Sequence, residues 1–87
     1  LNTLAAAPGS SLVVFGVGTV GMAAVMAAKV AGCATIIAVD IHDSRLDLAR
    51  DLGATHTLRG DATDLAERLR EILPTGANAT IDTSGQP

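Results

Sequence analysis

Three glycines within six residues, Gly16-Val17-Gly18-Thr19-Val20-Gly21, separate a β-branched run from an alanine-rich one, and this junction constrains the chain more than any other feature. Residues 12–15 (LVVF) are a short continuous apolar run, the pattern of a parallel strand covered on both faces, and the glycines end it. Residues 19–31 are rich in alanine and methionine, with Gly32 just beyond as a stop signal, which predicts a helix, apolar nearly all round, with a C-terminal glycine cap. A G-x-G-x-x-G set where a strand becomes a helix has a physical meaning that it lacks elsewhere. Gly16 permits the tight turn out of the strand, Gly18 lets a diphosphate approach the main chain, and Gly21 lets the helix pack closely on the sheet. Free N–H groups at the helix start, aided by the macrodipole, then face an anion without any cationic side chain.

The same alternation continues. Residues 35–39 repeat the β-branched run and Asp40 closes it. Asp43 or Ser44 is predicted to cap a second helix whose Leu46, Ala49 and Leu52 share one face and which Gly53 ends. Residues 56–58 read as a weak third strand; Asp61 or Thr63 is predicted to cap a third helix bearing Leu65, Leu69 and Ile72, which Pro74 and Gly76 break. Residues 79–82 form a fourth strand that runs into Thr83-Ser84-Gly85, and residues 1–7 read as the tail of an earlier helix. Strands alternating with helices across short loops imply right-handed βαβ crossovers and a parallel sheet. The expected fold is α/β, a Rossmann-type three-layer sandwich with strand order 3-2-1-4. The six-stranded form needs two more strands, so residues 1–87 are expected to be one partial dinucleotide-binding domain, truncated before the last two strands.

Composition removes other classes. The chain has 87 residues, enough for one domain, and 48% of them are apolar with a single aromatic, which suits a core of Val, Ile, Leu and Ala packed around backbone. A net charge of −3 lacks the basic footprint of nucleic-acid binding, so no nucleic acid is expected as a partner. Cys33 is the one cysteine, which excludes an internal disulfide framework and multi-cysteine zinc patterns and fits a reducing cytoplasm. Residues 12–28 are hydropathic enough to suggest a membrane span or signal sequence. Both readings fail: no basic start precedes the run, Pro8-Gly9-Ser10-Ser11 open it, and Gly16, Gly18 and Gly21 interrupt it.

Asp40 lies at the end of the second strand, roughly 20 residues beyond the glycines, where a dinucleotide fold expects an acid. Its carboxylate can accept hydrogen bonds from both hydroxyls of the adenosine ribose and would repel a 2′-phosphate, which favours NAD over NADP. Its plainer reading is a strand end or helix cap. Arg45 either supports the ribose edge or is a solvated surface arginine, and His42 either borders the adenine or is an exposed loop residue. His56 has no acid at useful spacing and reads as structural or half exposed. Cys33 reads as a small buried hydrophobe, and Met22 and Met26 as core filling. Asp82 can orient nearby loops or cap, and Thr83 and Ser84 lie at the carboxyl edge of the sheet, where ligands bind.

The segments VVFGVGTVGMAAVMAAKVAGCATIIAVD, RLDLARDLGATHTL and GANATIDTSG together resemble the cofactor domain of zinc-type alcohol dehydrogenases of the medium-chain dehydrogenase/reductase superfamily, with wording akin to aryl (benzyl) alcohol dehydrogenases. The resemblance implies that Gly16, Gly18 and Gly21 border the pyrophosphate, with Val17 and Thr19 in the same cofactor-binding loop. It implies too that Val20 lies beside the nicotinamide, that Asp40 and Arg45 hold the ribose, and that Thr83 and Ser84 line the cleft. Such enzymes bind zinc through cysteine, histidine and acidic residues of a separate GroES-like domain. No residue here matches those ligands, so that domain, the metal and the catalytic residues are expected outside this chain. The parent protein is then expected to be a cytoplasmic, homo-oligomeric, NAD-dependent alcohol dehydrogenase that exchanges hydride with an alcohol or aldehyde, aromatic ones included. Two other readings stand beside it: a nucleotide-sensing module that regulates a partner, and a structural fragment that associates through apolar helix faces and an open sheet edge.

Overall fold

A computed structural model describes residues 8–83; the predicted helix tail at residues 1–7, and Ser84, lie outside the described residues. The elements are β1 (Ser11–Phe15), α1 (Thr19–Ala31), β2 (Thr35–Asp40), α2 (Asp43–Leu52), β3 (His56–Arg59), α3 (Leu65–Ile72) and β4 (Ala79–Asp82). All strand pairings are parallel, in the order β3-β2-β1-β4. The chain is an α/β sandwich with the expected topology.

Strand alternation divides the core in two. Leu12, Val14, Ile36 and Ala38 point to one face and meet Val25 and Ala28 of α1 and Leu46 and Ala49 of α2. Val13, Ile37 and Val39 point to the other, where Leu58 joins them and Leu65, Leu69 and Ile72 of α3 pack against the cluster. Val14, Val17, Val25 and Ile37 are fully buried, and each such side chain contributes about 1.5–3 kcal/mol. Two polar groups secure the start of β1: Ser11 donates its N–H (2.8 Å) and its hydroxyl (3.1 Å) to Asn78 Oδ1, and Asn78 N–H returns a bond to Ser11 Oγ. This pairing pins β4 beside β1.

Several boundaries differ from expectation. α1 does end at Gly32, in the left-handed conformation (φ 85°), with its N–H bonded to Lys29 O and the Cys33 N–H to Ala28 O. α2, however, is capped by neither Asp43 nor Ser44; its N-cap is His42, whose carbonyl accepts from Arg45 and Leu46. The cause is Asp40, whose carboxylate accepts the His42 N–H two residues on and turns the chain one residue early. Asp43 falls in the first helical turn and pairs with Arg59 at 3.0 Å. Nor do Asp61 and Thr63 cap α3: turns closed by Ala62 N–H to Arg59 O and Leu65 N–H to Ala62 O delay the helix, so Asp64 is its N-cap and Asp61 pairs with Arg59 instead. Met22 packs on the core, but Met26 is 49% exposed, because Gly21, Val25 and Ala28 already form the inward stripe of α1. Cys33 is half-buried, its Sγ 3.5 Å from Ser10 Oγ.

Among the described glycines, Gly21 has the least room, where α1 meets the turn that precedes it. A Cβ on Gly21 would lie 2.1 Å from Gly16 O and 3.3 Å from Val14 Cγ1. Gly21→Ala is therefore expected to displace α1 from β1 and to cost about 1–3 kcal/mol or more, seen as a lower urea midpoint. A stability within about 0.5 kcal/mol of wild type contradicts this close packing.

Candidate cofactor-binding site

A crevice of about 680 Å³ opens at the carboxyl edge of the sheet, beside the point where the strand order reverses, with β2 on one side of β1 and β4 on the other. Its floor is the end of β1 and the turn after it, Phe15 and Gly16, with Thr83 alongside. One wall is the first turn of α1, Gly18, Thr19 and Val20; the other is Asp40, Ile41, His42 and Arg45, with Gly60 and Leu65 beyond. Val20 and Ile41 are exposed there, 58% and 55%.

The glycine turn is built for close approach. Gly16 has φ 88°, a conformation that disfavours a side chain, and Gly18 has open space where a Cβ would stand. The first helical bond of α1 runs from Met22 N–H to Gly18 O at 2.8 Å, so the N–H groups before it have no acceptor within the helix. No acidic side chain lies in that first turn. Backbone donors, the positive end of the helix dipole and bare glycine together suit a diphosphate. The residues present therefore fit a dinucleotide, although the chain is acidic overall.

Asp40 is the one buried carboxylate among the described residues, its side chain 4% exposed. Oδ2 accepts the Val17 N–H at 2.8 Å; Oδ1 accepts the His42 N–H at 2.9 Å and the His42 ring Nδ1–H at 3.0 Å. Arg45 Nη1 stands 3.8 Å from Oδ2. Burial pushes the Asp40 carboxyl up, but the N–H groups of Val17 and His42, the His42 ring and the Arg45 charge outweigh it, and the group lies below the ordinary carboxylate value. An ionised carboxylate has about four acceptor positions, and three are taken, so one remains, on Oδ2. Both ribose hydroxyls can bond to Asp40 only if the His42 ring moves away.

Of the residues singled out from sequence, Gly16, Gly18, Thr19, Val20, Asp40, Arg45, Asp82 and Thr83 line this one crevice. Val17 does not: its side chain is fully buried in the core and its N–H is committed to Asp40. Gly21 acts beneath the crevice, as the contact between α1 and Gly16. His42 lines it, while His56 is exposed and bonded to Thr55. Ile41, Gly60 and Leu65 were not expected there, and the Ile41 position, directly after the strand-end acid, is the signal that could have found the first of them. Among the described residues no three His, Cys, Asp or Glu side chains gather as a metal site, so they do not fit a zinc ion. Among the same residues no helix is long and apolar enough to cross a membrane.

Residues 19–87 match the family model described as zinc-binding dehydrogenase. The chain belongs to the zinc-binding dehydrogenase family. It is 50% identical, with a TM-score of 0.91, to an alcohol dehydrogenase zinc-binding domain protein from Burkholderia ambifaria, over 99% of this chain and 23% of that one. Benzyl alcohol dehydrogenase from Acinetobacter calcoaceticus is 45% identical with a TM-score of 0.90, over 99% of this chain and 24% of that one. Among curated relatives, a probable D-xylulose reductase A of Aspergillus fumigatus is 47% identical over 90% of this chain and 23% of its own length. The chain thus spans about a quarter of these zinc-binding dehydrogenases and corresponds to part of their NAD(P)-binding domain, with the partial Rossmann order 3-2-1-4.

A lowered carboxyl pKa stabilises the fold above the unfolded value, about 3.9, and that contribution is lost as pH falls through the folded value. Wild-type protein should therefore lose stability in acid more steeply than Asp40→Asn, as read from urea midpoints between about pH 6 and pH 2.5. Equal acid slopes for the two proteins would contradict this role of Asp40.

Proposed function

We propose that this chain is the NAD-binding portion of a zinc-dependent alcohol dehydrogenase, and that its parent transfers hydride between an alcohol and NAD. The observation that carries the reading is the juxtaposition of an open glycine turn at the start of α1 with a buried, ionised Asp40 across the same crevice. The diphosphate takes the backbone N–H groups around Gly18, Thr19 and Val20, where no side chain stands in its way. The adenosine ribose takes the acceptor position left on Asp40 Oδ2 and displaces the His42 ring for a second bond, with Arg45 at its edge. The adenine rests on the apolar surface of Ile41 and Leu65 beside Gly60, and the nicotinamide end extends past Val20 toward Thr83.

NAD is favoured over NADP because a 2′-phosphate would approach a buried anion. When bound, the dinucleotide accepts or supplies the hydride; the residues of this chain hold and orient it and contribute no acid, base or nucleophile of their own. The zinc and the catalytic groups belong to a separate GroES-like domain of the parent, and kinship with a benzyl alcohol dehydrogenase supports an aromatic alcohol as substrate. We assign the parent to the cytoplasm as a homo-oligomer, with no nucleic-acid or membrane partner.

The test is calorimetric titration of the full-length dehydrogenase with NAD and with NADP. Wild type should bind NAD more tightly, and Asp40→Ala should weaken NAD about tenfold or more, as expected for lost bonds to a charged acceptor, while NADP is unaffected or improved. NAD affinity unchanged by that substitution overturns the reading.

A further inference from the structure

We propose that Thr83 is a positioning residue: its hydroxyl holds the Gly16–Val17 peptide plane from the side opposite Asp40 and so fixes the diphosphate cradle. The inference rests on the cofactor reading above. A peptide unit has one acceptor and one donor, and here separate side chains take each. Thr83 Oγ1 donates to Gly16 O at 2.6 Å, and Asp40 Oδ2 accepts the Val17 N–H at 2.8 Å. The two residues come from opposite neighbours of β1: Asp40 ends β2, and Thr83 directly follows β4.

The hydroxyl is not needed for strand pairing. The Thr83 N–H already donates to Phe15 O at 2.8 Å and continues the β1–β4 ladder, whereas the hydroxyl, 3.3 Å from the same oxygen, lies closer, at 2.6 Å, to the carbonyl of the turn one residue further on. That carbonyl needs fixing. Gly16 is free to populate backbone conformations closed to other residues, its N–H is tied to Val39 O, and its oxygen faces the closest point of α1, at Gly21. Rotation of the plane would carry the oxygen away from Thr83 and the Val17 N–H away from Asp40, and would change the direction in which Gly18 enters α1. There is an electrostatic consequence too. Gly16 O is a partial negative charge bordering an anion site, and the Thr83 donor offsets it, as the Val17 and His42 donors do for Asp40.

Two effects then separate by ligand. Loss of the hydroxyl should weaken ligands that carry a diphosphate and spare those that carry only the nucleoside, whereas a structural defect should weaken both. The experiment titrates the full-length dehydrogenase with ADP-ribose and with adenosine, the latter by competition. Thr83→Val, which keeps the volume and removes the donor, is expected to weaken ADP-ribose about five- to tenfold and leave adenosine within twofold of wild type; Thr83→Ser is expected to restore ADP-ribose. If Thr83→Val does not fold, Thr83→Ala supplies the same readout. Wild-type affinity for ADP-ribose in Thr83→Val, an equal loss of both ligands, or failure of Thr83→Ser to restore binding each overturns the inference. Wild-type protein that does not bind ADP-ribose at all removes the cofactor reading itself, and the inference with it.

Discussion

Helix α1 sits directly on the turn that launches it, with Gly21 against the Gly16 carbonyl at a distance no side chain tolerates. The rest of the architecture follows from that contact. It brings the helix N-terminus to the carboxyl edge of β1, in the middle of the sheet, so that the free N–H groups of the first turn open into the crevice rather than onto an outer surface. The inward stripe Gly21, Val25 and Ala28 then lies low enough over Val14 and Ala38 to exclude water from a core that contains no aromatic side chain among its buried residues.

Polar groups do at the turn what packing does in the core. Asp40 is a buried charge, costly unless bonded, and the N–H groups of Val17 and His42 and the His42 ring satisfy it. The same bonds set the end of β2, start α2 one residue early and fix the glycine turn that borders the crevice. One carboxylate thus couples three local structures, which is why its ionisation matters for the fold as well as for a ligand. The rim pairs of Arg59 with Asp43 and Asp61 are exposed and contribute little by comparison.

Most of the fold was legible in the sequence because each element announces itself over several residues. The β-branched runs at β1 and β2, the glycine after each of α1 and α2, and the i, i+4, i+7 spacing of Leu65, Leu69 and Ile72 are local signals, and they give the strand order once right-handed crossovers are assumed. The starts of α2 and α3 were not legible; at α2, Asp43 and Ser44 both look like caps and only the bond from the His42 N–H back to the Asp40 carboxylate decides between them and His42. Within the site, Gly16, Gly18 and Asp40 stood out by spacing. That Val17 stands outside the crevice lining was not legible, because loop membership does not reveal which N–H groups are already bonded. Ile41, Gly60 and Leu65 come together only through packing between elements distant in sequence, and the double grip on one peptide plane by Asp40 and Thr83 has no sequence signature at all.

In the proposed complex, main-chain amides at the start of α1 hold a dinucleotide's diphosphate while Asp40 holds the ribose. A crystal structure of the full-length dehydrogenase with NAD tests it most directly. The diphosphate oxygens should lie within hydrogen-bond distance of backbone N–H groups between Gly18 and Gly21, with Asp40 Oδ2 bonded to a ribose hydroxyl and the Val17 N–H still donating to it. A diphosphate bound elsewhere, or a ribose that makes no contact with Asp40, would contradict the claim.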